Sequence, residues 1–471
     1  MVELSKLKLA FAATIMIASL AGGGLPRTPD ARAQQSVVPV VEASLSDFKR
    51  AAIEHARFQA CFKSKLSSGY CQISSDAADT IAALAEEELE SLISSRLRGL
   101  SRAGDETAAL IYHEAPDGSL GIFFFDKYGI QDAVIRPSTS LDLAIDGLKR
   151  TLSVNSRSTT IRGDNPAPLT VDRVSIPEIS DLLIPSETAQ KIQQGGYSRL
   201  IILPSRTTSV VPFPALTLSE NHQLVDQTAI VFLPDLDALT LPINPSFGDT
   251  TEHFRTLSFD KQNALVGTKI VVGDPDYANY RGHKPPALPG ARQEAESVAS
   301  LLSNSESFIG HAATHQAVVS AIRNSEQDLG MIYFATHGVS DSENPMDGSL
   351  LALAEQHLIA QEIKDFDFRQ SHPLVILSAC QTGLGKQFDG GTFGLMRSWY
   401  ASGAGQVVGS LWNVSDVGTR YLMTSFIEQL NETPVSPEEA LRVAMLQTRE
   451  EFSDDPAIWA SFYVFGNPAL D

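Results

Sequence analysis

Met331-Ile332-Tyr333-Phe334-Ala335-Thr336-His337-Gly338 and Leu374-Val375-Ile376-Leu377-Ser378-Ala379-Cys380-Gln381-Thr382-Gly383 are the two stretches whose reading decides the fold. Each begins as a run apolar at successive positions, the mark of a strand buried on both faces. Each then runs into a reactive side chain with a glycine close behind it. Four more runs of the same kind stand around them: Leu200–Leu203, Ile230–Leu233, Lys269–Val272 and Gln406–Ser410. Helix-period segments fall between several of these, at Ala291–Leu302, Thr314–Arg323, Gly391–Ala401, Val417–Leu430 and Pro437–Glu451. That alternation predicts an α/β fold, a mostly parallel sheet covered by helices on both faces. In such sheets function collects at the carboxyl ends of the strands.

Upstream the pattern changes. Phe48, Ala51, Ala52, His55 and Phe58 repeat at helical spacing, as do Ile81, Leu84, Ala85, Glu88, Leu89 and Leu92, so residues 34–105 read as a small helical region behind a polar linker. Ala108–His113 and Gly121–Asp126 read as a β-hairpin turned by Pro116-Asp117-Gly118. Ser140 then caps a helix with Leu141, Ala144, Ile145, Leu148 and Leu152 on one face, completing a lead-in over 106–155. Residues 153–170, rich in Ser, Thr, Arg, Pro and Asn, form the internal boundary.

The chain has 471 residues, 43% hydrophobic and 20% charged, the profile of a globular protein of two or three folding units. Its net charge of −20 excludes a nucleic-acid partner, which needs a surplus of Lys and Arg. At the N-terminus Lys6 and Lys8 precede an apolar run, Leu9–Leu20, and Ala31-Arg32-Ala33 follows as a small-x-small site. The run is shorter than the ~20 residues needed to span a bilayer, so residues 1–33 read as a bacterial-type signal peptide. The mature chain, beginning near Gln34, is expected to be exported, periplasmic or extracellular, with no membrane span left. Export places the cysteines in an oxidising compartment, where Cys61 and Cys71, with nine residues between them, are expected to close a disulfide loop.

Cys380 stands in a different context. A His at one strand end can take the proton of a thiol at another, giving the thiolate that attacks a carbonyl carbon. Gly338 allows a backbone N–H to approach a developing oxyanion, and the Cys380 N–H would complete the hole. Taken singly, a His or Cys at a strand end is commonly a packing residue. Two of them, each followed by a glycine, point to catalysis together. Asp341 and Asp416 could face a basic substrate side chain, or be a loop carboxylate and a helix cap. Competing motifs fail on their letters. "TGLGKQ" lacks the first glycine and the Ser/Thr of a phosphate loop, no G-x-S-x-G is present, and no Cys/His spacing suits zinc, so neither metal nor cofactor is expected.

"IYFATHGVSD", "VILSACQTGLG" and "ASGAGQVVGSLWNVSD" resemble the His box, the Cys box and the following strand of the CHAT family, within the caspase, separase and gingipain-like clan. "RLIILPSRTTSVVPFPAL", "ALPGARQEAESVASLL" and the closing "WASFYVFGNP" extend the resemblance over 178–471. It implies a caspase-like domain with His337 as general base, Cys380 as nucleophile, and the Gly338 and Cys380 N–H groups as oxyanion hole. The substrate would be a protein or peptide, cleaved through an acyl-enzyme. Two alternatives stay open: a non-catalytic CHAT scaffold, and a transpeptidase using the same dyad. Family members often carry tetratricopeptide repeats upstream, and this chain shows no such array.

Overall fold

The apolar runs become strands of one large sheet. The structure, a computed structural model, describes residues 41–68, 76–101, 105–145, 147–148, 175–240, 261–280, 282, 284–379, 382–383, 386–388, 391–412, 416–432 and 435–468. Twelve strands of these share the sheet. In chain order they are β1 (Val41–Glu42), β2 (Glu106–Glu114), β3 (Ser119–Asp126), β4 (Gly129–Pro137), β5 (Tyr197–Leu203) and β6 (Ala229–Phe232). Then follow β7 (Thr268–Gly273), β8 (Ser305–Ile309), β9 (Leu329–Ala335), β10 (Leu374–Ser378), β11 (Gln406–Ser410) and β12 (Phe462–Gly466). Across the sheet they lie in the order β1, β4, β3, β2, β5, β6, β12, β11, β10, β9, β7, β8.

Strand direction divides the sheet. β11, β10, β9, β7 and β8 are mutually parallel, as are β2, β5, β6 and β12. The two blocks meet antiparallel at β12 and β11. The predicted hairpin is present, with Gly118 at φ +83 in its turn, and β4 and β1 extend it into an antiparallel meander. Through β2 on β5 this lead-in joins the sheet of the later segment. The helix after β4 starts one residue before Ser140, and its Leu141, Ala144, Ile145 and Leu148 are buried as predicted. The 153–170 boundary lies outside the described residues.

Side-chain alternation places the layers. Successive residues of a strand point to opposite faces. On β9, the Tyr333 hydroxyl donates to Glu294 of the helix Pro289–Leu301 at 2.8 Å, while the Phe334 ring lies 5.8 Å from Trp399 of the helix Leu395–Ala401. These two helices therefore cover opposite faces. The helix Pro437–Glu451 is anchored by a buried ion pair, Glu438 accepting from Arg199 of β5 at 2.9 Å and from Gln406 at 3.2 Å. At the far side, Phe48 of the helix Leu45–Ser68 packs 5.1 Å and 4.8 Å from Phe123 and Phe125 of β3. No described helix is long and apolar enough to cross a membrane.

Three local expectations are corrected. The stretch 391–401 is not one helix: Gly391–Phe393 pairs as a strand with Lys386–Phe388, and only Leu395–Ala401 is helical. Glycines at 390, 391 and 394 cost a helix too much backbone entropy there. Residues 62–68 are not a loop, because the first helix runs through Cys61 as far as Ser68. The edge strand β8 was not foreseen, since "SESFI" is polar as edge strands commonly are.

Candidate active site

The ends of β9 and β10 are brought side by side. Their register pairs Ala335 with Ser378, so His337 and Cys380 each stand two positions past a matched pair on neighbouring parallel strands. Cys380 itself lies outside the described residues. Past Ala335 the chain is held from one side. The Thr336 hydroxyl donates to the Ala352 carbonyl at 2.7 Å, and the Ala352 N–H donates back to the His337 carbonyl at 2.9 Å. Gly338–Val339 then pairs antiparallel with Leu350–Leu351, which pairs with Leu358–Ile359.

This small ladder bears on the Gly338 N–H. With Ala352 donating to His337, Gly338 opposite Leu351 is a non-hydrogen-bonded pair, and the ladder does not use its N–H. The group predicted to meet an oxyanion is thus left out of the pairing.

The imidazole of His337 is half-buried and held on two sides. Its ring packs edge to face on the buried Tyr277, with centroids 4.8 Å apart. Its Nε2 lies 2.9 Å from the Pro286 carbonyl oxygen. A carbonyl only accepts, so Nε2 carries the hydrogen and Nδ1 is the atom left to take up a proton. Neither Tyr277 nor Pro286 was found by reading the sequence. Both belong to the loop between β7 and the helix Pro289–Leu301, which carries no recognisable signal beyond its prolines.

The turn bearing Cys380 is tied down on both flanks. Before it, the Ala379 carbonyl accepts from the Ser410 hydroxyl at 2.8 Å and from the Thr382 hydroxyl at 3.3 Å. After it, the Ser410 N–H donates to the Thr382 hydroxyl at 3.1 Å, and the Gly383 N–H donates to the Ser410 carbonyl at 2.8 Å. The Tyr463 hydroxyl of β12 donates to the Gly383 carbonyl at 3.1 Å. Burial holds the Tyr463 phenol well above its ordinary value, so it stays a donor. Gly383 is required by space: a Cβ there would come within 2.5 Å of the Tyr463 ring and 2.9 Å of the Ser410 carbonyl.

The Asp341 carboxylate accepts from the N–H groups of Glu343 and Asn344, both at 2.9 Å, and so shapes its own turn. Asp416 opens the helix Asp416–Glu432 rather than preceding it, and its side chain lies outside the described residues. So do the Cys61 side chain, Cys71 and the 1–33 segment.

Comparison with known proteins agrees with the fold. A family model described as "CHAT domain" matches residues 174–467. Human tetratricopeptide repeat protein 28 is 22% identical over 319 residues, which is 58% of this chain but only 12% of that protein. The chain thus spans about an eighth of the length of the curated relative it matches. Among solved structures, the Saccharomyces cerevisiae separase–securin complex superposes with a TM-score of 0.56 at 10% identity, covering 90% of this chain and 34% of that one. The Arg-specific cysteine proteinase gingipain R superposes with a TM-score of 0.40 at 12% identity, covering 69% and 74%.

Proposed function

We propose that this chain, which belongs to the CHAT domain family, is a cysteine endopeptidase working through His337 and Cys380. The observation that carries this reading is the Nε2–H of His337 donating to the Pro286 carbonyl at 2.9 Å. That bond selects the tautomer with a basic Nδ1 at the end of the strand beside the cysteine turn.

The chemistry follows in balanced steps. His337 Nδ1 takes the thiol proton, and the thiolate attacks the scissile carbonyl carbon. The oxyanion is met by the N–H groups of Gly338 and Cys380. Collapse breaks the C–N bond, and the leaving amine takes the proton from His337. Water, giving its proton to His337, then attacks the thioester, and the acid departs as the thiol re-forms. The Pro286 carbonyl accepts from the imidazolium throughout, which favours the thiolate–imidazolium pair. We place the protein outside the cytoplasm, on the signal-like 1–33 segment, with Cys61 and Cys71 bridged. N-terminal sequencing and non-reducing peptide mapping of exported protein test those two points.

The main test is kinetic. Cys380→Ala is expected to abolish hydrolysis of a peptide library with an unchanged melting curve, and His337→Ala to leave slight residual activity, several orders of magnitude below the parent. In the parent, Cys380 alkylation should show a pH midpoint below the ~8.5 of a free thiol. Undiminished proteolysis by folded Cys380→Ala protein overturns the reading.

A further inference from the structure

The loop that supplies the Pro286 carbonyl is long and exposed at its Pro286 end, and such a loop does not by itself hold one oxygen still. It leaves β7 after Gly273 and ends where the helix Pro289–Leu301 begins. Pro286 and its neighbour Ala287 are exposed. A hydrogen bond to His337 at 2.9 Å therefore needs an anchor close to Pro286 in the chain.

That anchor is Asp274, the first residue past β7. Its side chain is buried, and its backbone adopts φ +39, a left-handed conformation that Asp tolerates better than most residues. One carboxylate oxygen, Oδ1, accepts from the Leu288 N–H at 2.6 Å. The other, Oδ2, accepts from Nε of Arg292 at 3.2 Å. The first bond closes the loop on itself, across 14 positions and only two residues from Pro286. The second ties the carboxylate to the first turn of the helix, where negative charge is favoured. The Asp274 N–H donates to the Ala335 carbonyl at 3.0 Å, on β9 just before Thr336 and His337. A single residue thus grips both the strand that presents the imidazole and the loop that presents its acceptor.

We propose that Asp274 is a positioning residue for the His337–Cys380 couple, holding the Pro286 carbonyl where it fixes the tautomer and ring orientation of His337. The proposal rests on the peptidase reading of the same site. It gives a task to "ALPGARQEAESVASLL", whose Leu288 and Arg292 are the two groups that Asp274 holds, and which the chemistry at His337 does not otherwise use. Without the clamp the loop keeps its other ties. Asp276 N–H donates to Gly310 at 3.1 Å and Ala278 N–H to Leu353 at 3.0 Å, so its near end stays placed while the Pro286 end loosens. Nε2–H then loses a fixed acceptor, the imidazolium loses part of its stabilisation, and the thiolate becomes harder to form.

The experiment compares Asp274→Ala, Asp274→Asn and Pro286→Gly with the parent. It measures the pH dependence of Cys380 alkylation by iodoacetamide together with kcat and KM on a cleaved peptide. Asp274→Ala should move the alkylation midpoint upward toward that of a free thiol and lower kcat about 10- to 100-fold, with KM little changed. Asp274→Asn keeps an acceptor for Leu288 and should recover most of the loss. Pro286→Gly leaves Asp274 intact but frees the same carbonyl, and should shift the midpoint in the same direction. A parent Cys380 that alkylates like an ordinary thiol overturns the peptidase reading itself. An activated parent whose midpoint and kcat are unmoved in Asp274→Ala, with or without a lower melting temperature, overturns the role given to Asp274. Should Asp274→Ala fail to fold, an unmoved midpoint in Pro286→Gly overturns it equally.

Discussion

Two pairs of adjacent parallel strands end in polar residues, and the two ends differ in how much of their polarity is already spent. At the carboxyl ends of β2 and β5, Glu114 meets the turn Ser205–Thr207. Its buried carboxylate accepts from the Ser205 hydroxyl and the Thr207 N–H at 2.7 Å, from the Thr207 hydroxyl at 2.9 Å, and from Arg206 at 3.2 Å. The donors are consumed, the charge is paired, and the end is closed. At the carboxyl ends of β9 and β10 the polar groups tie down backbone on either side of Cys380 and around His337. The ladder leaves the Gly338 N–H unused, and His337 is half-exposed. A buried carboxylate needs every donor it can find, whereas a reacting centre needs donors kept back for an atom that arrives with the substrate. On the proposed reading, the same kind of strand end serves as a structural knot in one place and as a site in the other.

Substitutions can break this contrast. Glu114→Ala strands the Ser205 and Thr207 donors inside the protein and should cost about 2–4 kcal/mol of stability, read as a lowered denaturant midpoint. Peptide hydrolysis per folded molecule should stay at the parent's level. A matching fall in turnover would show that the closed end takes part in the chemistry after all. Tyr463→Phe acts on the open end. It removes the donor to the Gly383 carbonyl and should cost about 1 kcal/mol while slowing Cys380 alkylation a few-fold. Unchanged alkylation with the stability loss intact would make Tyr463 a packing residue only.

The smallest effect concerns pH. His357 lies beneath the same loop as His337, its ring centroid 5.8 Å from that of Tyr280. Burial pushes its imidazole below the ordinary range, against a weaker opposing contribution from the Asn279 backbone. The folded protein therefore resists a proton that the unfolded chain accepts below about pH 6.5, and stability falls as the pH drops through that point. His357→Leu should make the decline in denaturant midpoint between pH 7 and 5.5 shallower. An equally steep decline would assign the acid sensitivity to other groups.

The strands beside the site were legible because burial on both faces leaves its mark in every residue: Leu374–Ser378 and Gln406–Ser410 fall where the apolar runs end. The meander strand Gly129–Pro137 and the edge strand Ser305–Ile309 were not, since each carries polar residues that a period-based reading takes for loop. At the site, His337 and Cys380 could be picked out because their chemistry is local to the side chain and their positions follow from strand ends. Pro286 and Asp274 could not. A backbone carbonyl is present at every residue, and a carboxylate after a strand is commonplace. What makes these two matter is that Asp274 meets Leu288 across the loop and Ala335 across the sheet. The sequence by itself determined which segments must be buried, and hence that two reactive side chains follow strand ends; that these two strands are neighbours came only with the sheet. Only the tertiary structure decided which nitrogen of His337 holds the hydrogen, because that choice depends on a carbonyl 51 positions away in the chain, placed by loop closure rather than by any local preference.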